Sequence, residues 1–92
     1  MKKLKMIASG RVQGVGFRWG VKMLADQLGD IQGAVWNEDN GTVTIHAQSN
    51  QDAKLSQFAQ EIRKGPTPFS KVTYLDITLS NFPDYPDFRI QN

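Results

Sequence analysis

Apolar residues recur along this chain at two different periods, and the order in which the periods alternate leaves few folds open. Leu4, Met6, Ala8 and Val12 are set against Lys5, Ser9 and Arg11, close to the two-residue period of a half-buried strand. At Phe17 the period changes. Phe17, Val21, Leu24, Ala25 and Leu28 recur every three or four residues, one helical stripe that Gly29 can end as a C-cap. Val35, Val43 and Ile45 are β-branched and Asn40-Gly41 lies between two strand-like runs, which predicts a hairpin over 33–37 and 42–48. A second helical stripe, Leu55, Phe58, Ala59 and Ile62, follows Asn50, a candidate N-cap, and stops at Gly65-Pro66. Val72, Leu75, Ile77 and Leu79 read as a fourth strand, with a break in alternation between Val72 and Leu75 that a bulge accommodates. Phe88 and Ile90 predict a short closing strand.

The order βαββαβ with a terminal addition predicts an α+β fold, a ferredoxin-like split βαβ sandwich. Its sheet is expected to be antiparallel, with both helices on one face and a short extra C-terminal strand. With 92 residues the chain has room for one core, so residues 1–92 are read as a single domain. The chain has no cysteine, which excludes disulfide staples, zinc-thiolate sites and cysteine nucleophiles. Its amino terminus starts positive, but the apolar run Met6, Ile7, Ala8 stops at Ser9, far short of a signal-peptide core. A cytoplasmic protein with no membrane partner is therefore expected. Eleven basic against nine acidic side chains give a formal charge of +2, too slight for a nucleic-acid partner but enough to favour a small anion.

The segment Val12-Gln13-Gly14-Val15-Gly16-Phe17-Arg18 carries two glycines and an arginine where a strand turns into a helix. Glycine lets successive backbone N–H groups converge, the helix amino terminus adds partial positive charge, and a guanidinium fork matches phosphate oxygens. Gln13, Gly14, Val15, Gly16, Phe17 and Arg18 are accordingly the candidate phosphate-binding residues. The glycines alone would serve any tight turn into a helix, whereas a positive charge in the first turn opposes the helix dipole and gains nothing structurally. Asn37 is the second candidate. In a split βαβ unit the first and second strands run the same way with one strand between them, which puts their carboxyl ends roughly 10 Å apart. An asparagine before Glu38-Asp39-Asn40-Gly41 also fits a turn-forming role.

Other chemistry-bearing residues read as structural. Glu38 and Asp39 are expected to be solvated turn residues, and His46, roughly 13 Å along its strand from the proposed site, a surface-facing one. Trp19 and Trp36 flank the candidates and read first as packing, with an apolar rim for a substrate as the other possibility. Gly20 in the first helical turn is expected to loosen the cradle by up to about 1 kcal/mol relative to alanine.

The run Gly10-Arg11-Val12-Gln13-Gly14-Val15-Gly16-Phe17-Arg18 resembles the first signature of the acylphosphatase family. Gly33-Ala34-Val35-Trp36-Asn37 followed by Gly41-x-Val43 is similar to the second, and Gly65-Pro66, Val72 and Phe88-x-Ile90 also fit. The resemblance implies hydrolysis of carboxyl-phosphate mixed anhydrides to carboxylate and phosphate, without metal or cofactor. It makes Arg18 the phosphate-binding arginine and Asn37 the water-orienting asparagine. Inorganic phosphate is then product and inhibitor, and the chain is expected to act as a monomer. Ala8, Ala34, Trp36 and Ser49 depart from the usual pattern, which bears on rate and stability rather than reaction type.

An acyl phosphate needs little help to leave, because the carboxylate is a good leaving group and catalysis is mainly positioning and electrostatic stabilisation. The alternative is a non-catalytic module of the same fold that binds an acyl or carbamoyl phosphate. An RNA-binding role is disfavoured, since neither Leu4–Val12 nor Thr42–Gln48 contains the Phe, Tyr or Trp on which an RNA recognition motif stacks bases.

Overall fold

The computed structural model describes residues 1–92, and its elements follow the order of the periods. They are β1 (Lys2–Arg11), α1 (Phe17–Leu28), β2 (Gln32–Asn37), β3 (Val43–Ser49), α2 (Asp52–Lys64), β4 (Lys71–Leu79) and β5 (Phe88–Ile90). The sheet order is β4-β1-β3-β2-β5. β1 and β2 each pair antiparallel with β3, so the two strands run the same way with β3 between them. One expectation needs correction. β5 pairs parallel with β2, making the sheet mixed, because the chain crosses from β4 to the far edge before it enters β5.

Side-chain alternation decides which face carries the helices. Met6 and Ala8 of β1, Val35 of β2 and Val43, Ile45 and Ala47 of β3 are buried on one face, where Val21 and Ala25 of α1 and Leu55, Phe58 and Ile62 of α2 cover them. Burying each large apolar chain contributes about 1.5–3 kcal/mol, so truncating Phe58, which is 0% exposed, would cost the most here. The predicted bulge is present: Ser9 pairs with Tyr74 and Gly10 with Val72, leaving Thr73 as the extra residue on β4. Gly10 is required there, because a Cβ would lie 2.3 Å from the Lys71 carbonyl oxygen.

The second helix begins one residue later than its predicted cap. Gln51 occupies the N-cap without a side-chain bond, so the capping expected of Asn50 is not made, and the Ser49 hydroxyl accepts the Gln51 N–H at 3.0 Å in the turn that leads into the helix. Ser49 lies at the far end of β3 from Asn37, about 20 Å along the strand, so this departure from the family pattern does not touch the candidate site.

The opposite face of the sheet is covered by the segment joining β4 to β5. Phe82 stacks on His46 with ring centroids 4.2 Å apart, and the Tyr85 hydroxyl lies 3.0 Å from His46 Nδ1. Gln48 donates to the Tyr85 carbonyl and accepts its N–H, while Lys3 pairs with Asp84 at 2.7 Å. His46 is therefore half-buried beneath a strap rather than surface-facing, because a segment distant in sequence folds over it.

Candidate active site

The loop between β1 and α1 turns on two left-handed glycines, Gly14 at φ 74° and Gly16 at φ 75°, conformations that cost other residues but not glycine. Gly16 ends the loop as the N-cap of α1, and the first backbone bond of the helix runs from Gly20 N–H to Gly16 O. The N–H groups of Phe17, Arg18 and Trp19 consequently have no intrahelical acceptor and leave the helix end positively biased. No acidic residue stands in this first turn.

The turn that follows α2 braces the loop. Thr67 donates its hydroxyl to the Val15 carbonyl at 3.1 Å. Gly20 permits this approach, since a Cβ there would lie 2.8 Å from Thr67 Cγ2 and 3.1 Å from the Pro66 carbonyl oxygen. Beyond its expected backbone cost, Gly20 has a packing role: its missing side chain lets the bracing segment close against α1.

Gly14, Gly16, Phe17 and Arg18 line one shallow cavity of about 180 Å³, together with Trp19 and Asn92. Arg18 donates through Nη1 to both the carbonyl oxygen and Oδ1 of Asn92, the latter at 3.1 Å. Asn92 in turn accepts the Asn37 backbone N–H at 2.9 Å and donates its amide to the Asn37 carbonyl at 3.0 Å. One side-chain amide thus joins Arg18 to Asn37. Asn92 carried no sequence signal, because nothing periodic or motif-like marks it.

The Asn37 side chain stands apart from this pairing. Its Oδ1 is buried and has no hydrogen-bond partner. The turn-forming role belongs to Asn40, whose Oδ1 accepts the N–H and hydroxyl of Thr42 at 3.1 and 2.7 Å. Gln13 points away from the cavity lining: its Nε2 donates to the carbonyls of Glu38 at 2.9 Å and Thr42 at 3.0 Å. Val15 is half-buried against the core.

The neighbouring acid is not free. Glu38 Oε2 accepts from Trp36 Nε1 at 3.1 Å and from the Thr44 hydroxyl at 2.6 Å, which holds the carboxylate on the strap side of the sheet. Trp36 is accordingly a packing residue, edge-on to His46. Trp19 is not: it is 62% exposed and also borders a second cavity of about 330 Å³ between α1 and Gly65-Pro66. No group of three or more potential ligands among His, Cys, Asp and Glu is assembled anywhere in the chain.

Comparison with known proteins shows the family. A family model described as acylphosphatase matches residues 4–90. The acylphosphatase of Lactococcus lactis is 50% identical, with 99% of each chain covered, and that of Ligilactobacillus salivarius is 46% identical, with 98% of each covered. The crystal structure of acylphosphatase from Bacillus subtilis superposes with a TM-score of 0.91 at 39% identity, covering 100% of both chains. Fold and relatives together define a small α+β enzyme of the ferredoxin-like type. The chain belongs to the acylphosphatase family. Its substrates are small-molecule acyl phosphates, which it hydrolyses, and the binding-only alternative is not favoured.

Proposed function

We propose that the loop from Gln13 to Arg18 holds the phosphoryl group and that Asn37 orients the attacking water, with no metal in the reaction. The observation that carries this reading is the Asn37 side chain. Its backbone is gripped on both sides by Asn92, yet its Oδ1 is buried with no partner. A buried acceptor without a donor costs about 1–3 kcal/mol; Asn37 does not line the 180 Å³ cavity, so its side chain turns toward the loop to meet the water, which relieves that cost.

The charge follows from the same geometry. A guanidinium has five N–H donors in a planar fork. Asn92 engages Arg18 through Nη1, which fixes the plane and leaves the remaining donors for phosphoryl oxygens. The free N–H groups at the start of α1 add to them. In the loose transition state charge builds on the equatorial oxygens, where these donors act, while water attacks phosphorus in line and the P–O bond to the carboxylate breaks. An amide is too weak a base to take the water proton, and Glu38 is engaged elsewhere, so the proton passes to a phosphoryl oxygen of the substrate.

The product phosphate sits in the same cradle and inhibits competitively. We read residues 1–92 as one domain, supported by its single cluster of 17 buried core residues. Arg18 and Asn37 come from the same chain and are joined within it, which supports action as a monomer. A cytoplasmic setting is part of the same proposal. No helix is long and apolar enough to cross a membrane.

The deciding experiment is Asn37→Ala, assayed for release of phosphate from benzoyl phosphate. We expect kcat to fall about 10²-fold while the Ki of inorganic phosphate stays nearly constant, because the water, not the anion, loses its partner. Retention of kcat by the folded variant would make Asn37 a structural residue.

A further inference from the structure

We propose that Gln13 is a positioning residue, a strut that sets the spacing between the phosphate cradle and Asn37, and that its side chain does not bind the anion. The inference rests on the assignment of Asn37 given above. Gln13 opens the glycine loop, and Asn37 ends β2.

Both hydrogens of the Gln13 amide are in use. One goes to the Glu38 carbonyl and the other to the Thr42 carbonyl, the residues that close the hairpin turn with a Glu38 N–H to Thr42 O bond at 2.9 Å. Glu38 directly follows Asn37, so the strand leaving Asn37 is tied to the loop entering the cradle. Asn92 secures Asn37 itself from the opposite direction. With the backbone held at both points, the Asn37 side chain can stay in one place although its own oxygen has no protein partner.

A rotor-rich side chain is a good strut only when every bond it can make is made, because each free torsion would otherwise average the spacing. Gln13 meets that condition on its donor side. Gln13→Met keeps the length and removes both donors, while Gln13→Glu keeps the length and sets a carboxylate against two carbonyl oxygens.

The test compares Gln13→Met in the wild-type and Asn37→Ala backgrounds, with benzoyl phosphate as substrate and inorganic phosphate as inhibitor. If the strut acts through Asn37, Gln13→Met lowers kcat about tenfold, leaves the phosphate Ki within about twofold, and causes no further loss once Asn37 is alanine. Gln13→Glu lowers kcat at least as far. Three results overturn the proposal: an unchanged kcat, an equal loss in both backgrounds, or a phosphate Ki that rises with the loss of kcat. Full activity in Asn37→Ala alone would instead refute the assignment of Asn37, so the two failures are separable. Circular dichroism and thermal melting confirm that each variant is folded at the assay temperature, and rates are taken only there.

Discussion

Two polar regions share strands β2 and β3, and they are finished in opposite ways. Under the strap, the polar side chains are paired: His46 with Tyr85, Gln48 with the Tyr85 backbone, Glu38 with Trp36 and Thr44, Lys3 with Asp84. At the strand ends beside the glycine loop, the backbone is paired and the chemistry is left open. Asn37 Oδ1 has no partner and the first N–H groups of α1 have no intrahelical acceptor. The histidine and a carboxylate lie in the first region, where both are bonded. What sets the candidate site apart is polar capacity that the fold holds in place without pairing it.

If that contrast is right, the largest effect belongs to Arg18. Arg18→Gln should lower kcat/KM for benzoyl phosphate about 10³-fold or more with an unchanged circular dichroism spectrum, because it removes charge from a half-buried side chain at the cavity and not from the core. Arg18→Lys should recover only part of the loss, since an ammonium cannot reproduce the planar fork that Asn92 orients. Near-normal activity in the folded Gln variant would erase the distinction between the regions.

The strap should respond the other way. Phe82 is 8% exposed and stacks on His46, so Phe82→Ala should destabilise the protein by about 2–4 kcal/mol in urea unfolding while kcat of the folded fraction stays close to wild type. A large drop in kcat would mean that the strap communicates with the site.

The smallest effect concerns His46. Burial, and then the charge of Lys5, hold its pKa below the ordinary 6.5. Below about pH 6.5 the unfolded chain therefore binds a proton that the folded chain refuses, and the stability this group contributes is complete above that pH and falls as the pH drops. His46→Gln should flatten that slope by less than about 1 kcal/mol, measured as the difference from wild type between pH 8 and pH 5.5. An identical pH dependence in the two proteins would show that His46 does not titrate with folding.

Much of this protein was legible before folding was considered. The switches in apolar period located both helices and five strands, the spacing of Val72 and Leu75 marked the bulge, and the loop from Gln13 to Arg18 stood out by composition. These are local properties: a period of two or of three to four reports the conformation of one segment and which of its faces meets the core. The parallel pairing of β5, the strap over His46 and the bracing role of Gly20 were not legible. Neither were the amides of Gln13 and Asn92 that grip the strand around Asn37. Each joins residues far apart in the chain, 25 positions for Gln13 and Glu38 and 55 for Asn37 and Asn92. A hydrogen bond of that kind exists only after the sheet closes, because its donor and acceptor carry no mark of each other in the segments that hold them. The sequence by itself determined the elements and singled out the candidate groups; tertiary structure decided which polar groups became partners and which single buried side-chain oxygen was left without one.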